Sequence, residues 1–191
     1  TVLTGNRDGS AMVGTGVIFT EDGYILTNAH VIAGGSECYV VLDTGEDYRA
    51  CLLGLDEEKD LAVIKIAASG LPAAEFGDSD ALTVGDPVYA IGNPLGLGLA
   101  ISSGIIGSTA HELDRYALPC IVNSADISRG SSGGALMNAH GQVIGVTSGA
   151  YTYGNNMYLA VPVDPVMAAD LTVSGWTLKE VKAIEAAKDK D

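Results

Sequence analysis

Residues 130–134 read Gly-Ser-Ser-Gly-Gly, and a histidine at position 30 and an aspartate at position 60 stand upstream of them. A hydroxyl flanked by glycines can occupy a sharp turn whose backbone N–H groups converge on one point, the geometry that stabilises a tetrahedral oxyanion in acyl transfer. An imidazole can take the proton of that hydroxyl, and an ionised carboxylate can orient the imidazole and stabilise its cation. On this chemistry Ser132 is the candidate nucleophile, His30 the base and Asp60 the orienting group. The amides of Gly130 and Ser132 are the expected oxyanion donors, with Ser131 counted among the residues of that hole; losing one such donor costs about 3 kcal/mol of barrier. Ser131 is also the rival nucleophile, set one residue closer to the first glycine.

Taken singly, each residue has a plainer reading. A lone histidine more often serves structure than catalysis, and two others exist: His111 in a loop, and His140 in the hairpin-like run Asn138-Ala139-His140-Gly141. Both read as surface residues. Asp60 alone is a loop residue that opens a strand, and a Gly/Ser string alone is a turn of a β protein.

The elements that would hold these groups are β almost throughout. Runs rich in β-branched residues at 12–19, 24–27, 38–43, 48–55, 61–66, 87–91, 100–108, 119–122, 135–137, 142–148 and 157–162 are separated by Gly, Asp, Asn or Pro. Short strands at this spacing predict a sandwich or barrels. His30 then follows the strand at 24–27, and Asp60 sits where the acidic stretch Asp56-Glu57-Glu58-Lys59 gives way to the apolar run Leu61-Ala62-Val63-Ile64. The turn Gly92-Asn93-Pro94-Leu95-Gly96 marks the expected junction between an N-terminal half, about 10–92, and a C-terminal half, 93–163. Helical signals come late. Asp164-Pro165 reads as an N-cap with proline at the first helical position, opening a helix to Leu171, and Thr177 with Glu180 has capping-box spacing. Residues 164–191 are therefore expected to form short helices and a fraying charged tail.

Composition bounds the function. The chain has 191 residues, 47% hydrophobic and 18% charged, enough for a sizeable core in one domain or a pair of small fused barrels. With 24 Asp and Glu against 10 Lys and Arg, its net charge of −14 repels phosphate backbones, so no nucleic acid partner is expected. The longest apolar runs fall far short of the roughly 20 residues that span a bilayer. The first residue is Thr1 rather than Met, which leaves room for a leader or anchor upstream. The histidines are scattered, no paired Cys or His motif occurs, and no phosphate loop or dinucleotide fingerprint is present, so neither a metal site nor a cofactor is expected. Of the 3 cysteines, Cys38 and Cys51 flank a hairpin. If Thr44-Gly45 is its two-residue turn and Asp43 pairs with Glu46, Cys38 faces Cys51 at a non-hydrogen-bonded position, about 4.5 Å between Cα atoms, within reach of a disulfide. Two unlinked thiols are the equal alternative. Cys120 reads as a core thiol.

The order His, Asp, Ser, together with Gly14-Thr15-Gly16-Val17-Ile18, Ile25-Leu26-Thr27-Asn28-Ala29-His30-Val31, Asp60-Leu61-Ala62-Val63-Ile64-Lys65-Ile66, Gly92-Asn93-Pro94-Leu95-Gly96 and Gly130-Ser131-Ser132-Gly133-Gly134, resembles the HtrA (Deg) branch of the trypsin-like serine proteases. The resemblance runs from about Gly14 to Pro162. It implies an all-β fold of two perpendicular six-stranded barrels with the site in the cleft between them, and the His30–Asp60–Ser132 triad with His30 acting as base and then acid. It further implies an ATP-independent endopeptidase for unfolded or exposed polypeptide segments, serving protein quality control in an extracytoplasmic compartment, commonly as a homotrimer. The strand Gly145-Val146-Thr147-Ser148-Gly149 would line the cleft and pair with an extended peptide, which makes Thr147, Ser148 and Gly149 substrate-binding candidates, and Ser148 would reach the carboxylate of Asp60. Asp126, six residues before Ser132, has the spacing that in trypsin puts an acid at the base of the specificity pocket; the alternative is a loop-bound Asp126 and a preference for small aliphatic residues. Two departures stand out. Ser131 replaces the family's usual asparagine and Ser128-Arg129 its usual Asn-Pro or Asn-Arg, which leaves the resting state of the oxyanion hole open. The residues after Val163 are too few for the PDZ domain that usually follows, so none is expected in this chain.

Overall fold

The computed structural model describes residues 1–5, 11–151 and 156–164. Two antiparallel β systems follow one another along the chain. The first contains β1 (Val2–Gly5), β2 (Ala11–Gly14), β3 (Val17–Ile18), β4 (Tyr24–Thr27), β5 (Glu37–Val41), β6 (Asp47–Asp56) and β7 (Leu61–Ile66), in the spatial order β2-β1-β5-β6-β7-β4-β3. One short helix, α1 (Ala29–Ile32), interrupts it. The second contains β8 (Pro87–Gly92), β9 (Ala100–His111), β10 (Cys120–Asn123), β11 (Ala135–Asn138), β12 (Val143–Ala150) and β13 (Tyr158–Pro162), closed into a barrel in the order β10-β13-β12-β11-β8-β9.

The all-β, trypsin-like expectation holds, with particular differences. The first unit is a curled sheet that counts seven strands because one expected strand is split into β2 and β3, which stand at its two edges; Val2–Gly5 supplies a strand that pairs with both β2 and β5. The run at 12–19 is two strands, broken at Thr15-Gly16. β8 belongs to the closed barrel, so the change from one unit to the next falls between Ile66 and Pro87 and not at Gly92–Gly96. Of the expected C-terminal helices, all but Asp164 lies outside the described residues.

Three apolar clusters hold this arrangement. Val2, Ile25, Val31, Ile64 and Ile66 fill the first unit, and Val88, Ile106, Ile121, Leu136 and Ile144 fill the barrel. The third joins Val17, Leu26, Leu61 and Val63 of the first unit to Tyr116, Cys120, Val122, Val146 and Leu159 of the second. Successive strand residues face opposite sides, so β4 sends Ile25 into its own sheet's core and Leu26 into the seam. Burying side chains of this size stabilises by about 1.5–3 kcal/mol each. The seam matters for function, since His30 and Asp60 come from one unit and Ser132 from the other.

The β5–β6 hairpin corrects the cysteine geometry. Tyr39 pairs with Arg49 and Val41 with Asp47, and Leu42 N–H donates to Glu46 O, so three residues, not two, make the turn. Gly45 closes it at φ 87, a left-handed conformation that glycine adopts without steric cost. The extra residue shifts the register by one. Cys51 sits opposite Lys65 and off register with Cys38, so the facing pair that would have put a bridge within reach does not form.

Candidate active site

His30 is the second residue of α1, and Asn28 before it is extended, at ψ 148. Its Nδ1 lies 2.9 Å from both carboxylate oxygens of Asp60, and its backbone N–H donates to Asp60 Oδ1 at 3.0 Å. The imidazole is 36% exposed while the aspartate side chain is 9% exposed. One ring edge is therefore committed to a buried carboxylate while the imidazole as a whole stays partly open to solvent. Asp60 occupies the left-handed region at φ 55, a conformation that aspartate tolerates better than most residues, and Asn28 Nδ2 holds its carbonyl at 2.9 Å.

Burial raises the Asp60 pKa, but hydrogen bonds from His30 and Ser148 and the charge of His30 outweigh it, and the net effect holds the carboxyl below its usual range. The Ser148 bond is direct, Oγ to Oδ2 at 2.7 Å, as expected. Behind it the Tyr116 hydroxyl lies 2.7 Å from Ser148 Oγ. An ionised carboxylate only accepts, so Ser148 spends its one proton on Asp60 and Tyr116 must donate to Ser148. The result is a one-way chain of donors ending on the carboxylate. Tyr116 belongs to the β9–β10 connection, where Ala117 N–H also donates to Glu58 O at 2.8 Å, tying that loop to the one carrying Asp60.

Ser132 sits in the turn before β11, and its Oγ donates to Ser148 O at 2.9 Å. Around it the carbonyls of the turn are each turned outward. Arg129 O accepts from Leu95 N–H at 2.7 Å, Gly130 O from Thr15 Oγ1 at 2.7 Å, Ser131 O from Thr147 Oγ1 at 2.7 Å, and Ser132 O from Thr15 N–H at 2.7 Å. Because the N–H of a trans peptide points opposite to the C=O of the preceding residue, the Leu95 contact on Arg129 O and the Thr147 contact on Ser131 O aim the amides of Gly130 and Ser132 away from those partners. Among the described residues neither amide has a protein acceptor. Gly130 takes φ 94, and a Cβ there would meet Asn93 O at 2.5 Å, so only glycine fits. Two unpaired N–H groups beside a serine hydroxyl are able to stabilise an oxyanion.

The structure thus brings His30, Asp60, Ser148, Ser132 and Gly130 together, and redraws three assignments. Ser131 N–H donates to Ser128 O at 2.9 Å, so it is spent inside the turn and is not an oxyanion donor. Thr147 is 1% exposed and its hydroxyl holds the loop, so its side chain faces the protein interior rather than a substrate. Asp126 is exposed, not sunk at a pocket base; its carboxylate accepts from the Tyr158 hydroxyl, which raises the Tyr158 pKa, and its carbonyl accepts from Ser102 Oγ at 2.6 Å. Gly149 is half-buried and pairs with Leu159. A register shift between Thr147 and Gly149 leaves Ser148 outside the β12–β13 ladder. His111 packs edge-on against Tyr151 and His140 is exposed, both remote from the triad in the hydrogen-bond network. Tyr116 and Thr15 went unassigned in the sequence, since an isolated tyrosine in an irregular loop and a threonine at a strand break carry no spacing signal. Among the described residues no group of three or more His, Cys, Asp or Glu could hold a metal ion.

The description Trypsin-like peptidase domain matches residues 14–146, a span that contains His30, Asp60 and Ser132. The chain belongs to the trypsin-like peptidase family. Within that family this protease domain is of the HtrA/Deg type. It is 41% identical over 167 residues to a protein of Halomonas elongata named probable periplasmic serine endoprotease DegP-like, covering 85% of this chain and 35% of that protein. A Chlamydia trachomatis protein of the same name is 43% identical over 155 residues, covering 79% of this chain and 31% of its own. The solved structure of the HtrA-type protease AlgW with tripeptide superposes with a TM-score of 0.83 at 33% identity, covering 91% of this chain and 59% of that one. The trypsin-like domain spans about a third of the length of the curated relatives it matches.

Proposed function

We propose that the domain is a serine endopeptidase that cleaves extended polypeptide segments through His30, Asp60 and Ser132. The observation that carries this is the continuous network from Tyr116 through Ser148, Asp60 and His30, set beside a serine turn whose Gly130 and Ser132 amides have no acceptor among the described residues. In the reaction Ser132 Oγ attacks the scissile carbonyl as its proton passes to His30 Nε2; the oxyanion takes the two amides; the proton then goes to the leaving amine, and water repeats the sequence on the acyl-enzyme. At rest the Ser132 hydroxyl is held on Ser148 O. A peptide lying along Ser148–Ala150 competes for that carbonyl with its own N–H, which frees the hydroxyl to turn to His30. The open amides also favour catalysis over a silent binding module, whose loop would be collapsed.

The Halomonas and Chlamydia relatives are named probable periplasmic serine endoproteases, and AlgW was solved with a tripeptide. These support an extracytoplasmic enzyme acting on polypeptides, with a homotrimer as the assembly to test on a sizing column. Labelling with a fluorophosphonate followed by peptide mapping tests both nucleophile and oxyanion hole: the adduct is expected on Ser132. Casein left intact by the wild type, or cleaved equally by Ser132→Ala, overturns the reading.

A further inference from the structure

We propose that Thr15 is a positioning residue for the oxyanion hole, a clasp from the first β unit that sets the two hole-forming residues of the second. Thr15 is 5% exposed and lies at the break between β2 and β3. Its backbone N–H donates to Ser132 O and its hydroxyl to Gly130 O, each at 2.7 Å. These carbonyls belong to the peptides that follow the two residues whose amides stand open, so Thr15 fixes each hole residue on its C-terminal side, while Leu95 N–H on Arg129 O and Thr147 Oγ1 on Ser131 O hold the peptides that carry the amides themselves. The same hydroxyl accepts from Asn93 N–H at 2.9 Å, and the Thr15 carbonyl accepts from Thr27 Oγ1 at 2.7 Å. One residue therefore ties together the segment before His30, the Gly92–Gly96 turn and the serine turn.

The hydroxyl does work that neither a methyl nor the backbone can replace. Gly130 is at φ 94, a glycine-only conformation with broad freedom on either side, so the peptides before and after it are set by what holds them. The one after is held by Thr15 Oγ1 on Gly130 O, and the one before, which carries the Gly130 amide, by Leu95 N–H on Arg129 O, from the turn whose Asn93 N–H rests on the same Thr15 hydroxyl. Without the Thr15 hydroxyl, both Gly130 O and Asn93 N–H lose a buried partner, and a buried unpaired polar group drives local rearrangement. Asn93 O is the atom a Gly130 Cβ would meet, so the Gly92–Gly96 turn and Gly130 move together. The expected consequence is loss of transition-state stabilisation, with substrate binding along Ser148–Ala150 preserved.

This rests on Ser132 being the nucleophile, and the test separates the two claims. Thr15→Val keeps shape and removes the hydroxyl, while Thr15→Ser keeps the hydroxyl and removes the methyl. On casein, Thr15→Val is expected to lower kcat by roughly 10–100-fold with KM changed less than about twofold, and to slow fluorophosphonate labelling of Ser132 in parallel. Thr15→Ser is expected to stay within about threefold of wild type in kcat, which a loss of packing alone would not permit. Wild-type kcat in Thr15→Val, or an equal loss in Thr15→Ser, overturns the proposal. If wild type itself is not labelled at Ser132, the functional reading fails. The clasp is then judged by the 15N–1H resonances of Gly130 and Ser132, which must shift in Thr15→Val and hold in Thr15→Ser; unchanged resonances in Thr15→Val overturn it. A Thr15→Val that does not fold leaves Thr15→Ser to decide by the same two measurements.

Discussion

Asp60 carries two opposed demands. It is buried enough to be costly as an anion, yet it must stay ionised beside an imidazole that charges during the reaction. Its environment resolves this by supply of donors: His30 Nδ1, His30 N–H and Ser148 Oγ all point at it. Asp60→Asn keeps the size but presents an amide that cannot fix the same imidazole tautomer, and kcat is expected to fall by about 10⁴ with the fold intact, read from casein hydrolysis beside circular dichroism. Tyr116 acts one step further out. Tyr116→Phe preserves ring packing in the seam and deletes one donor, a bond worth about 0.5–1.5 kcal/mol, so a several-fold drop in kcat with unchanged KM is expected; a rise in KM instead would place Tyr116 in substrate binding. Cys120 behaves oppositely. Burial is the main reason its thiol is pushed up to about 11, and alkylation by iodoacetamide is expected only after unfolding.

At the scale of elements, what could be read from the chain divides by mechanism. Strands such as Leu61–Ile66 and Pro87–Gly92 were legible because a run of β-branched and apolar residues between turn formers has few other homes. β1 was not, because Val2–Gly5 is short and gains strand form only by pairing with β2 and β5. Nor was α1, at four residues too short for any helical period. The β5–β6 register turned on one residue: Thr44-Gly45 has the composition of a two-residue turn, but Asp43 joins it and every facing pair moves. In the site, His30, Asp60 and Ser132 were readable from type and order, while the partners that aim them are long-range contacts, some between side chains and some through backbone, with no local pattern. The Gly92–Gly96 turn illustrates this. Leu95 is exposed and left-handed at φ 58, yet its N–H holds Arg129 O. Leu95→Gly is expected to leave activity within about twofold and stability within about 1 kcal/mol, since glycine accepts that φ and keeps the N–H. Leu95→Pro, which loses the N–H and cannot reach that φ, is expected to cost at least tenfold in kcat on the same assay.

For the whole molecule, the triad's geometry depends on two β units staying in register across one apolar seam, and the pH dependence of stability reports on the charged groups there. Net charge of −14 makes the folded chain repel itself at neutral pH, a term that weakens as carboxylates protonate. Against that trend run the carboxylates favoured by folding. Asp60 lies below its usual range for the reasons given; in Asp56 burial acts to raise the pKa but the Lys59 contacts lower it further. A carboxylate with a depressed folded pKa binds fewer protons in the folded than in the unfolded state, so its contribution is fully present above the unfolded value, 3.8, and is lost as pH falls through the lower folded value. Self-repulsion is common to wild type and to Asp60→Asn, apart from the one charge, so the difference between their unfolding free energies isolates Asp60. That difference is expected to be constant from pH 7 to about pH 5 and to shrink below about pH 4, when protonated Asp60 comes to resemble the amide. Urea titrations of both proteins at stepped pH measure it. A difference that grows on acidification would mean that Asp60 is held protonated in the fold, and its carboxyl would then donate to one of its partners instead of only accepting from Ser148 and His30.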